Sequence, residues 1–278
     1  MEPGSPSRTA WAAAAHRAAH QLIEDGRIFR DPLAIRILGQ SSDEVLRDAQ
    51  AHPRRIRMRL FIAMRTRFAE DLLAAAVDAG VSQLVVLGAG LDTFAYRNPY
   101  GDRLKVYEVD HPATQQWKRD RLAAAGIPLP AWLTFAPVDF ERETLAAGLV
   151  AAGFDAHHRT FFTWLGVVPY LTEPAIFATL AFIGALPGGA HVVFDYSDPP
   201  ATLSPEMRDL HDRRAARVAE MGEAWVTYFD PAALAERLAS FGLPAIEDLG
   251  PRELVMRFLR GTTGPALERG GHVVQARN

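Results

Sequence analysis

Ten residues constrain this chain more than any others: Leu84-Val85-Val86-Leu87-Gly88-Ala89-Gly90-Leu91-Asp92-Thr93, an apolar run that breaks into a turn with two glycines. A run of this kind reads as a strand buried on both faces, and its glycines let the backbone turn sharply and come close to a ligand. Downstream, Val106-Tyr107-Glu108-Val109-Asp110 forms a second apolar strand ending in acids. A carboxylate there suits recognition of two ribose hydroxyls. Together the two segments predict a protein that binds a nucleoside-containing cofactor.

The rest of the chain alternates. Strand-like runs at 132–138, 160–165, 190–195 and 272–276, with a weaker one at 244–248, are interleaved with helix-like segments at 113–125, 141–152, 174–185, 204–221, 231–241 and 251–259. Crossovers of this length are what parallel strands need, so the order predicts α/β layering around a mainly parallel sheet. Before the first strand, residues 9–23, 33–38 and 54–77 read as helical, the last placing Leu60, Met64, Phe68, Leu72 and Leu73 on one face. The Pro/Ser/Asp-rich stretch 195–205 reads as a long loop or lid, or as a surface turn.

At 278 residues and 49% hydrophobic content the chain can bury a large core. Its net charge of −3 gives no global reason to expect nucleic acid. The absence of cysteine excludes disulfides, thiolate metal sites and cysteine nucleophiles, and no metal site is expected. Residues 1–20 are interrupted by Arg8, His16 and Arg17 and lack the apolar core of a signal peptide, and no segment has the uncharged apolar length of a membrane span. The expectation is a soluble, cytoplasmic protein with no membrane partner.

The glycine turn alone does not choose a cofactor. A dinucleotide fingerprint asks for a third glycine where this chain has Thr93. Asp92 would repel a pyrophosphate seated on a helix N-terminus, yet it can accept from an ammonium group, or cap the helix that follows. S-adenosylmethionine, cationic and phosphate-free, fits better than NAD.

Arg65-Thr66-Arg67-Phe68, the block from Leu87 to Thr93 continuing to Arg97, Glu108-Val109-Asp110-His111-Pro112, Pro137-Val138-Asp139 and Tyr170-Leu171 resemble the leucine carboxyl methyltransferase family. More closely, they are similar to its bacterial S-adenosylmethionine-dependent branch, which includes polyketide carboxyl O-methyltransferases. The resemblance covers nearly the whole chain. It implies a Rossmann-like class I methyltransferase fold: a mainly parallel seven-stranded sheet, helices on both faces, and an N-terminal helical cap. The organisation expected is one domain, with residues 1–64 as the cap and 65–278 as the cofactor-binding core, including a lid at 195–230.

Carried over position by position, the resemblance makes Arg65 the partner of the cofactor carboxylate and places Gly88, Ala89 and Gly90 along the methionine portion. It makes Asp110 the ribose acceptor, with Asp139 and Phe140 at the adenine, and adds Asp92 and Leu165 to the cofactor contacts. A guanidinium suits a carboxylate through paired bonds. The competing readings are a surface ion pair for Arg65 and a helix N-cap for Asp139, since Glu141 and Glu143 follow it. One departure stands out: where many relatives carry Ala-Glu-Gly, this chain reads Trp164-Leu165-Gly166. Losing an acid there either favours an anionic substrate by relieving like-charge repulsion or is compensated by a backbone contact.

Methyl transfer to a carboxylate needs no general base, because the acceptor is already ionised. The expected activity is methyl-ester formation on a small-molecule carboxylic acid, with Tyr170, Arg17 and Tyr228 as substrate-positioning candidates. Arg17 reads equally as a solvated helix face, and Trp225, Tyr228 and Phe229 as core. The basic run Arg54, Arg55, Arg57, Arg59, Arg65 and Arg67 attracts an acidic substrate or is a charged helix exterior. Two alternatives of other classes remain: an NAD-dependent oxidoreductase, and a non-catalytic nucleoside-binding protein of the same fold.

Overall fold

The computed structural model describes residues 7–139, 143–220, 222–259 and 269–278. Helices α1 (Arg8–Ile23), α2 (Ala34–Leu38), α3 (Ser42–Ala51) and α4 (Ile56–Asp78) precede strand β1 (Gln83–Leu87). There follow β2 (Lys105–Asp110), α5 (Pro112–Ala124), β3 (Leu133–Pro137), α6 (Leu145–Ala151), β4 (Thr160–Trp164), α7 (Glu173–Gly184) and β5 (Ala190–Ser197). The chain closes with α8 (Pro205–Glu220), α9 (Pro231–Ser240), β6 (Ala245–Leu249), α10 (Pro251–Phe258) and β7 (Gly271–Arg277).

The strands form one sheet in the order β3-β2-β1-β4-β5-β7-β6. All neighbours are parallel except β7, which runs antiparallel between β5 and β6. Alternate side chains serve the two faces. Val85, Leu87, Phe162, Trp164 and Phe194 pack with Ile176, Leu180 and Leu234 on one side, and Leu84, Val86, Phe161 and Val193 pack with Phe68, Leu73 and Leu254 on the other. The helices are thus on both faces, as in Rossmann-like class I methyltransferases. A third apolar cluster, including Ala14, Ala18, Ile37, Leu38, Val45 and Leu122, joins α1, α2 and α3 to α5.

The chain order reverses at β1, which has β2 on one side and β4 on the other. In open α/β sheets this switch point opens a crevice at the carboxyl ends of the strands. Gly88–Gly90, Asp110, Asp139, Leu165–Gly166 and Asp195 all leave the sheet at that end or lie in the last turns of its strands.

Two local features depart from the sequence reading. Helix α3 was not anticipated: it is short, largely polar and buries only Val45. Its signature is the capping box Ser41–Glu44: the Glu44 carboxylate accepts the Ser41 N–H at 2.7 Å and Ser41 Oγ accepts the Glu44 N–H. Helix α6 begins later than expected, capped by Thr144 Oγ1, which accepts from the Ala147 N–H at 3.2 Å. Asp139 is therefore not its N-cap.

Candidate cofactor and acceptor site

The loop after β1 is built from backbone conformations that side chains resist. Gly88 has φ +64° and Gly90 φ +43°, both in the left-handed region. A Cβ on Gly88 would stand 2.4 Å from Val167 Cγ2, and one on Gly90 would stand 2.8 Å from Ala10 Cβ on α1. The loop is thus pressed between the segment after β4 and the start of the N-terminal helix. Asp110 locks it in place: Oδ2 accepts the Gly90 N–H at 2.6 Å and Oδ1 accepts the His111 N–H at 2.7 Å. Burial raises the pKa of this carboxyl, against the pull of those two N–H groups. Glu108, two residues earlier, turns to another task. It is fully buried against Lys118 Nζ at 2.7 Å, and burial pushes its pKa up to about 7.

No α-helix follows the glycine loop. Only short 3-10 turns, Phe94–Tyr96 and Gly101–Arg103, lie between β1 and β2. Asp92 Oδ1 accepts the Phe94 N–H at 2.8 Å, so it closes a turn rather than capping a helix. The helix N-terminus that holds a pyrophosphate in dinucleotide enzymes is missing here, which removes the main physical ground for NAD. Thr93, at the third-glycine position, is wholly buried and donates to Asp31 Oδ2 at 2.8 Å.

Arg65 reaches the crevice from α4. Its Nη1 donates to Asp195 Oδ2 at 2.7 Å, and Asp195 Oδ1 accepts the Gly166 N–H at 2.5 Å. Gly166 has φ +75°, and a Cβ there would stand 2.7 Å from Arg65 Nη2. The guanidinium is therefore only partly engaged: Arg65 Nε is buried with no partner among the described residues. An orphaned donor on a buried cation beside the Gly166 turn fits a carboxylate ligand. The surface-ion-pair reading of Arg65 fails, since both partners are buried. Asp195 was not singled out in the sequence. Its signal was an acid closing the apolar strand Val192-Val193-Phe194.

Asp139 follows β3 closely, and the adjacent Val138 N–H bonds the Asp110 carbonyl at 2.9 Å, which sets the two acids side by side. Phe140 lies outside the described residues. Leu165 is half-buried and packs on the cluster that contains Phe68 and Phe161.

The substrate-positioning candidates separate. Tyr170 ends a 3-10 turn, Val168–Tyr170, against which the segment 225–229 is laid: the Val226 N–H bonds the Pro169 carbonyl at 2.8 Å and Thr227 Oγ1 donates to the Leu171 carbonyl at 2.5 Å. Burial raises the Tyr170 pKa against the pull of the Trp225 side chain, and Arg65 and Asp195 act on it in opposite directions. The Tyr228 hydroxyl is 3.0 Å from His211 Nε2 on α8. Arg17 instead is buried and occupied: Nη2 donates to the Leu91 carbonyl at 2.6 Å and Nε to Asp31 at 3.3 Å. It clamps the 29–32 turn to the glycine loop and has no side chain in common with the Tyr170 group.

Two further residues belong to the neighbourhood. Glu223 accepts the Arg8 N–H at 3.1 Å and the hydroxyl of Thr9, so it fastens the start of α1 above the loop. His16, half-buried on α1, has its pKa lowered to about 4 by burial and by Arg55, Arg59 and Arg65. Among the described residues no His, Asp and Glu group could hold a metal ion, and no helix is long and apolar enough to cross a membrane. The crevice can therefore present a guanidinium, backbone N–H groups and carboxylates to a ligand, with an aromatic wall alongside.

Known proteins resemble this chain. The leucine carboxyl methyltransferase family model matches residues 10–184. YktD of Bacillus subtilis (strain 168), provisionally named an S-adenosyl-L-methionine-dependent methyltransferase, is 34% identical over 192 residues, which is 68% of this chain and 63% of YktD. A protein of Mycobacterium marinum (strain M) with the same provisional name is 31% identical over 264 residues, 88% of this chain and 78% of its own. Among solved structures, the magnesium protoporphyrin IX methyltransferase of Synechocystis PCC 6803 aligns with TM-score 0.44 at 11% identity, over 78% of this chain and 84% of that one. On the family match and these identities, the chain belongs to the leucine carboxyl methyltransferase family.

Proposed function

We propose that this chain is an S-adenosylmethionine-dependent O-methyltransferase that forms a methyl ester on the carboxylate of a small-molecule acceptor. The observation that carries this reading is the half-engaged Arg65, a buried cation beside the Gly166 turn whose Nε has no partner among the described residues, in a fold whose glycine loop is locked to Asp110. Arg65 Nε would take the cofactor carboxylate, Asp110 the ribose hydroxyls and Asp139 the adenine amine, with Gly88–Gly90 and Leu165 along the methionine portion. Residues 1–64 would serve as the cap and 195–230 as the lid of a single domain.

When bound, S-adenosylmethionine supplies a sulfonium methyl group that an ionised carboxylate oxygen attacks in line, giving a methyl ester and leaving the sulfur neutral. The chain's part is placement. Tyr170, Trp225 and Tyr228 form the wall against which an acceptor lies, and α1 with the 222–229 segment excludes water. Orientation of two reactants in this way can contribute about 7–11 kcal/mol to lowering a barrier, so no proton-transfer residue is required.

Calorimetry with S-adenosylmethionine, S-adenosylhomocysteine and NAD tests the cofactor, and mass spectrometry of carboxylic acids incubated with enzyme and cofactor tests the transfer. Saturable binding of both methionine derivatives and a one-methyl mass gain on an acid are expected. Binding of NAD alone, or transfer to phenols and to no acid, overturns the reading.

A further inference from the structure

The six arginines of the 54–67 run have separate fates. Arg59 is paired with Glu24 at 2.7 Å, Arg65 with Asp195, Arg67 with Asp71 at 2.7 Å and Arg55 with Asp48 at 3.3 Å. Arg54 and Arg57 have no carboxylate partner among the described residues, and Arg57 is the one that reaches another element: its Nη1 stands 3.5 Å from Met207 Sδ on α8.

Helix α8 is unusual within the fold. No residue of it is fully buried, yet Met207, His211, Arg214 and Val218 are half-buried along one face. That face looks toward the site, because His211 meets Tyr228 and its ring lies 5.6 Å from that of Trp225, on the segment laid against the Val168–Tyr170 turn. Arg214, one turn beyond His211, has no carboxylate partner among the described residues either. It shares the half-buried face of α8 with Met207, which Arg57 touches, and burial first and then the like charges of Arg57 and Arg217 lower its pKa. Two guanidinium groups where α4 meets α8, neither paired with a carboxylate among the described residues, attract an anion by their charge.

We propose that Arg57 and Arg214 form an anion-binding mouth between α4 and α8, where the acceptor places a second anionic group, a carboxylate or a phosphate, remote from the carboxylate that is methylated. The assignment of this anion to the acceptor rests on the methyltransferase reading above; the anion site itself does not. Arg57 and Arg65 are eight residues apart on α4, about 12 Å along its axis. The acceptor is then an elongated dianion, with one end at Tyr170 and the other under α8.

The test uses the full chain with pyrophosphate and citrate as probes, by calorimetry with S-adenosylhomocysteine present and absent. Saturable binding of at least one probe is expected, weakened roughly tenfold or more in Arg57→Met and in Arg214→Met and largely restored in Arg214→Lys. Preference for pyrophosphate identifies a phosphate, and preference for citrate a carboxylate. Arg213→Met, on the outer side of α8 and paired with Asp209, is the control and should bind as the wild type does. No binding of either probe, or equal binding in both mouth variants, or equal loss in Arg213→Met, overturns the proposal. Thermal melts of each variant establish folding, and Arg57→Met, at an exposed position, keeps the test valid should Arg214→Met fail to fold. If S-adenosylhomocysteine does not bind, the methyltransferase reading falls, while the probe titrations still decide the anion site.

Discussion

Asp195 on β5 holds Arg65 on α4 at 2.7 Å and, with its second oxygen, the Gly166 N–H at 2.5 Å. One buried carboxylate therefore aims the guanidinium and fixes the turn that follows β4. It lies beside Leu165, so a negative group stands in this part of the crevice and comes from the neighbouring strand.

Arg65→Met should weaken S-adenosylhomocysteine binding by roughly 10- to 100-fold, the worth of a charge-assisted hydrogen bond of about 1.5–3 kcal/mol. Asp195→Asn should act first on stability, because it leaves a buried guanidinium without its counter-charge. A calorimetric titration and a thermal melt of each variant separate the two effects. Equal cofactor affinity in Arg65→Met and wild type would remove Arg65 from the cofactor site.

Asp110→Asn keeps the shape of the side chain but loses a charge and turns one acceptor into a donor. The Gly90 and His111 N–H groups then compete for the remaining oxygen, and nucleoside affinity should drop by an order of magnitude or more. Adenosine and S-adenosylhomocysteine titrated in parallel should lose affinity alike, since the ribose is common to both.

Gly90→Ala meets two penalties at once. Alanine at φ +43° costs about 1–2 kcal/mol, and its Cβ also falls 2.8 Å from Ala10 Cβ. The variant should melt at lower temperature, and α1 should become more accessible to hydrogen exchange than in the wild type, because relief of the clash requires the helix to lift.

Two histidines give stability opposite dependences on pH. His272 bridges Asp248 at 3.0 Å and Asp198 at 3.2 Å; burial opposes its charge, but the two acids outweigh burial and raise its pKa above 6.5. Its contribution is whole below pH 6.5 and fades as pH rises through the folded value. His16, lowered to about 4, contributes above 6.5 and loses that contribution as pH falls toward 4. Thermal melts from pH 4 to 9 should show His272→Gln flattening the alkaline limb and His16→Gln the acidic limb. A swap of those limbs would contradict the assignment.

Much of the fold was legible because parallel strands, buried on both faces, read as continuous apolar runs. All seven were placed within a residue or two. What escaped was held by polar groups without period. Helix α3 buries a single valine, α6 starts at a threonine cap, and Asp195 follows the apolar run Val192-Val193-Phe194, where sequence has no means of pairing it with an arginine 130 residues earlier. Arg17 shows the converse. Its spacing on α1 allowed a substrate role, and only the three-dimensional approach of Asp31 and the Leu91 carbonyl reveals how its donors are used.

The 3-10 turns after the glycine loop deprive the crevice of a helix dipole, and the carboxylates that bond the loop's own N–H groups or the turn that follows are those of Asp110 and Asp92. Such a pair distinguishes two guests of nearly the same shape by charge alone. A guest that arrives positive and gives up that charge on turnover is held less tightly when it leaves, so the same acids that recruit it also favour its exchange for the next.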